Sequence, residues 1–100
     1  MEIPEIEELK ELCDELGEKG LVARIESFVR MNEGLESKKG REFIEVSILG
    51  FAEGILVSLR QKYSENRKVM ELLERVSARR RELDELFRKP RVQYFEGAGQ

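Results

Sequence analysis

Between Arg41 and Tyr63 the apolar residues follow helical spacing and then overflow it. Ile44, Ile48, Phe51, Ala52, Ile55, Leu56, Leu59 and Tyr63 make one stripe, and Phe43, Val46, Leu49 and Val57 widen it past half of the circumference. A helix that apolar needs neighbours on most of its sides, so this segment reads as the central helix of an all-α fold. Its most apolar run, Val46–Leu59, has 14 residues and contains Glu53. It is too short and too charged for a membrane span of about 20 residues.

The rest of the chain supplies the neighbours. A first helix is expected from Pro4 to Leu16, with proline suited to the first turn, Glu5, Glu7 and Glu8 at the positive end of the helix dipole, and a stripe of Ile6, Leu9, Leu12, Cys13 and Leu16. Gly17 or Gly20 should end it. A second helix is expected from Leu21 to Met31, and the stretch from Gly34 to Gly40 reads as a connector. After the central helix, Ser64 is the expected N-cap of a last helix that runs to Lys89 and stops ahead of Pro90. Its stripe is Val69, Leu72, Leu73, Val76, Leu83, Leu86 and Phe87. The two long helices, each on the order of 35 Å, make an α-hairpin that the two short N-terminal helices cover. The predicted architecture is therefore all-α, a small up-and-down helical bundle of four helices in one domain over residues 1–90, with a flexible tail over residues 91–100.

Charge is polarised along the chain. Residues 1–50 hold 13 acids and 7 bases, and residues 51–100 hold 8 acids and 11 bases. An acidic front half and a basic back half are expected to pack on each other, and the net charge of −3 argues against a dedicated nucleic-acid binder. Cys13 is the only cysteine and histidine is absent. A cytoplasmic, disulfide-free protein is expected, with no histidine-based catalysis and no cofactor. A chain rich in Glu, Lys and Arg and poor in amides resembles thermophile usage.

Three features carry the candidate functions. Ser47, Gly50, Gly54 and Ser58 lie along one side of the central helix, and glycine inside a helix costs roughly 1 kcal/mol against alanine. Two glycines four apart imply a second backbone nearby, either from this chain or from a second copy in a symmetric dimer. The basic set Arg79, Arg80, Arg81, Arg88, Lys89 and Arg91, with Tyr94 and Phe95 nearby, suits phosphates and bases, although i, i+4 pairs such as Arg80–Asp84 and Arg81–Glu85 explain most of it as a salt-bridged, solvated face. Arg80 occupies a position in the apolar stripe, so it needs a carboxylate, expected from Glu11, Asp14 or Glu15. Glu42 with Glu45, and Glu71 with Glu74, form paired ExxE motifs. At these four positions the chain resembles the all-α nucleotide pyrophosphohydrolases of the MazG type, and the resemblance implies a Mg²⁺-dependent hydrolase with those carboxylates around the metal.

With no nucleophile–base pair and no phosphate loop, elimination favours a non-enzymatic helical interaction or assembly protein (an adaptor, small subunit or chaperone-like protein). It would act as a homodimer or on a protein partner. A nucleic-acid-associated role through the basic end of the last helix is the alternative, and the Mg²⁺-dependent hydrolase is a distant one.

Overall fold

The computed structural model describes residues 2–86 in full, and every element in it is helical. The order is α1 (Pro4–Glu15), α2 (Lys19–Glu33), α3 (Glu36–Lys39), α4 (Arg41–Lys62) and α5 (Arg67–Gly99). α5 runs past Pro90 to Gly99, so the expected stop ahead of that proline is not observed; the side chains beyond residue 86, among them those of Arg88, Lys89 and Arg91, lie outside the described residues.

The local chemistry explains the boundaries. Pro4 opens α1 without losing a hydrogen bond, and Glu5 and Glu7 sit in its first turn. Gly17, at φ +76°, closes it. The Glu18 N–H reaches the Cys13 carbonyl at 2.8 Å and the Gly17 N–H reaches Asp14 at 3.1 Å, the double bond of a Schellman stop. α2 begins two residues before the expected Leu21. The connector from Gly34 to Gly40 contains a single helical turn, α3, which makes the count five rather than four. The N-cap of α5 is Asn66 rather than Ser64, since the Asn66 Oδ1 accepts the Val69 N–H at 3.1 Å.

α4 packs against all four other helices, α5 most extensively. Its inner residues Ile44, Ile48, Leu49, Ala52, Leu56 and Leu59 are buried among Ile6, Leu9, Leu12 and Cys13 of α1, Ile25 of α2 and Val69, Leu72, Leu73 and Val76 of α5. α1 runs antiparallel to α5. Glu15 faces Lys68 at 3.2 Å, Glu8 chelates Arg75 at 2.7 and 2.9 Å, and Glu5 meets Arg79 at 2.5 Å. The acidic front and the basic back of the chain thus meet rung by rung. At one end, Tyr63 and Lys62 each donate to Glu18 at 2.6 Å, which ties the α1–α2 turn to the end of α4.

Candidate functional site

α4 is not enclosed on every side, contrary to what its apolar width implies. α2 and α5 flank it, and the strip between them faces outward. Ser47 and Gly50 are half-buried there, and Gly54 and Ser58 are exposed. A Cβ added at Gly54 would meet nothing within 4 Å, and one at Gly50 would touch only the Arg80 Cδ at 3.7 Å. Among the described residues, no backbone uses the space the two glycines leave. Among the described residues the close packing within the chain that their spacing implies is therefore absent, because the neighbouring helices approach α4 from its other sides.

Two shallow grooves border this strip. The one toward α2 is about 330 Å³ and is lined by Leu21, Arg24, Phe51 and Ser58 together with the glycines. Its wall is stiffened by Phe28 stacked on Phe51, with ring centroids 4.1 Å apart. The groove toward α5 is about 420 Å³, with Val57, Arg60, Met70, Leu73 and Glu74 on its sides. Phe43, at the start of the strip, is 46% exposed and Met70 is 45% exposed. A further groove between α1 and α2, about 250 Å³, has an apolar floor of Ile3, Ile6 and Ile48. Lys10 crosses its rim toward Glu7 and Glu26.

The basic candidates have a different fate. Arg79 joins three helices, donating to Glu5 of α1 and, at 2.6 Å, to Glu45 of α4. The Arg80 Nε donates to Glu53 at 2.6 Å and its Nη1 to Asp84 at 2.7 Å. The acids expected to serve Arg80 from α1 do not reach it. α1 lies along the Lys68–Arg75–Arg79 side of α5, whereas Arg80 faces α4. Arg81 is exposed and its Nε reaches back to the Ser77 carbonyl at 3.3 Å. Two of the three consecutive arginines thus already hold two carboxylates each.

Burial pushes Glu53 up, but the hydrogen bonds from Ser77 and Arg80 outweigh it and hold its carboxyl below the ordinary 4.5. The hydrogen bond from Arg75 holds Glu8 below 4.5, and those from Lys62 and Tyr63 do the same for Glu18. Groups with lowered folded pKa bind fewer protons folded than unfolded in acid. Their stabilisation is complete above 4.5 and drains away as pH falls through the folded values. The melting midpoint is expected to stay level from neutral pH to about 5 and to fall below that. Glu8→Gln combined with Glu53→Gln should flatten the acid limb in thermal melts. An unchanged limb in the double variant would assign acid sensitivity to other carboxylates.

The four carboxylates of the ExxE motifs do not converge. Glu45 is engaged by Arg79, and Glu42, Glu71 and Glu74 are exposed. Among the described residues no group of three or more His, Cys, Asp or Glu side chains is placed to hold a metal ion. Cys13 is buried, and burial first, then the Glu18 charge, pushes its thiol up to about 11, so it stays protonated at neutral pH.

Comparison with known proteins adds kinship without chemistry. A family described as "Protein of unknown function (DUF3216)" matches residues 6–97. The chain is also similar to a singleton protein from P. furiosus whose crystal structure is known. The two are 42% identical over 83% of this chain and 90% of that one, with a TM-score of 0.77. No curated protein matches.

Proposed function

The chain belongs to the DUF3216 family, whose description assigns no activity, and we propose that it is a non-enzymatic helical assembly protein that works by seating another helix on the outer strip of α4, in a homodimer or on a protein partner. The observation that supports this is Gly54. A helix-interior glycine in open space costs roughly 1 kcal/mol relative to alanine and returns nothing within the fold. Across an interface, the same absence of a side chain lets a second backbone come close. The flanking apolar surface of Phe43, Phe51, Val57 and Met70, with grooves on both sides, suits helix-in-groove recognition. The reading fits a reducing, cytoplasmic setting for the lone buried Cys13. Among the described residues no helix is long and apolar enough to cross a membrane.

Gly54→Leu tests this. A Cβ at Gly54 would meet nothing within 4 Å in one chain, so helicity should be retained. Size-exclusion chromatography with light scattering is expected to give twice the 11.7 kDa chain mass for the wild type and a single chain for the variant. A wild type that stays at one chain mass at every concentration overturns self-assembly. A dimer unaffected by Gly54→Leu overturns the choice of surface.

A further inference from the structure

We infer that the occupant of the α4 strip is a second copy of this chain, laid antiparallel, with the two-fold axis passing midway between Gly50 and Gly54. The inference rests on the assembly reading above and specifies its partner and register. It comes from the pattern of the strip and from two exposed charges with no partner among the described residues.

Glu42 and Arg60 are both exposed, and neither side chain has an ion-pair or hydrogen-bond partner among the described residues. They are eighteen residues apart, about five turns of a 3.6-residue helix, so they lie on the same edge of α4. They are also almost equidistant from the midpoint between Gly50 and Gly54. The residues between them repeat this symmetry. Val46 has its counterpart in Val57 on the same edge, Ser47 in Ser58 on the other edge, and Gly50 in Gly54 at the centre, with separations of eleven, eleven and four residues that are near-whole numbers of turns.

From Val46 to Ser58 the face is thus palindromic in size, and beyond it Glu42 and Arg60 are complementary in charge. A two-fold axis perpendicular to two facing helices brings same-edge residues together, as an isologous interface requires. It puts Gly50 against Gly54, Val46 against Val57 and Ser47 against Ser58, and it puts Glu42 of each copy beside Arg60 of the other. A parallel pairing would carry this edge of the two copies to opposite sides of the contact, so Glu42 and Arg60 would not meet at all. An unrelated helix would have to carry the same small centre and an Arg and a Glu at the same wide spacing. A second copy carries them by identity.

The test is charge exchange read by sedimentation equilibrium of the full chain, with circular dichroism confirming that each variant folds. Glu42→Arg and Arg60→Glu alone each convert two attractive pairs into two repulsive ones and should weaken the dimer by at least about tenfold. The combined variant restores opposite charges at both ends and should return to within about threefold of wild type. A second measurement does not depend on charge. In the Ser47→Cys, Ser58→Cys variant the new thiols of one chain are about 16 Å apart along the helix, beyond disulfide reach of roughly 7 Å. Oxidation should therefore give a covalent dimer. A dimer that Gly54→Leu dissolves but that shows neither charge rescue nor the cross-link overturns this register and leaves the assembly reading standing. A monomeric wild type overturns both.

Discussion

Replacing Leu56 by alanine is expected to lower the unfolding free energy by about 3 kcal/mol and the melting temperature by on the order of 15 °C for a chain of this size. Leu56 is 0% exposed and points from the inner side of α4 into the cluster it shares with α1 and α5. Truncation removes three methyl or methylene equivalents from a site hemmed in by three helices, so the surroundings cannot collapse far, and a cavity cost adds to the lost transfer energy. The ion pairs set the contrast. Glu8 and Arg75 have side chains 44% and 53% exposed, and breaking such a pair should change stability by no more than about 1 kcal/mol. Urea titration separates the two. The Leu56→Ala midpoint should fall sharply with the slope unchanged, and a smaller fall than for Glu8→Ala would mean that the helices are held by their charges rather than by the α4 core.

Gly40→Ala is expected to cost about 1–3 kcal/mol for a different reason. Gly40 has φ +89° and ψ 148°, a region that only glycine occupies without strain. A Cβ there would touch nothing within 4 Å, so the whole cost comes from the backbone. The position cannot simply relax, because the Gly40 N–H donates to Glu36 at 2.9 Å and its carbonyl accepts from Ile44 at 3.2 Å. It is the single pivot between α3 and α4. Gly20 is the control: it is helical, has ordinary φ, and is equally open, so Gly20→Ala should be neutral or stabilising by about 0.5 kcal/mol. Thermal melts of the two variants should therefore move in opposite directions or differ clearly in size. Equal shifts would show that the α3–α4 link is not held as described.

The helices were legible because their apolar stripes are long and their breakers plain. Pro4 and Gly17 bound α1 as their chemistry demands. Asn66 was legible in principle, three residues ahead of Val69, but Ser64 offered a competing cap. α3 is one turn long and leaves no period to detect. The partner of Arg80 was misassigned because charge was matched between acidic and basic halves, whereas the match that matters is between misfits. Glu53 is the only acid in the apolar run of α4, Arg80 breaks the stripe of α5, and the two residues that do not suit their own helices meet each other at 2.6 Å. The glycines announced a missing side chain, but whether another backbone fills the space depends on how α2 and α5 straddle α4. No single segment encodes that.

The rungs between α1 and α5 have a consequence beyond holding the helices together. Antiparallel helices with greasy seams can slide past one another by a whole turn and still bury their stripes. Here a slide of four residues in one direction would set Glu8 opposite Glu71, and a slide of four in the other would set Glu5 opposite Leu83 and Glu15 opposite Leu72. Only the observed alignment places each of Glu5, Glu8 and Glu15 across from a cation. Surface pairs worth little as glue therefore act as a vernier, because each wrong setting gives up opposite-charge pairs, for a like-charge contact in one direction and for apolar neighbours in the other. The strand of acids on α1 selects among alignments that the apolar seam alone would leave nearly equal.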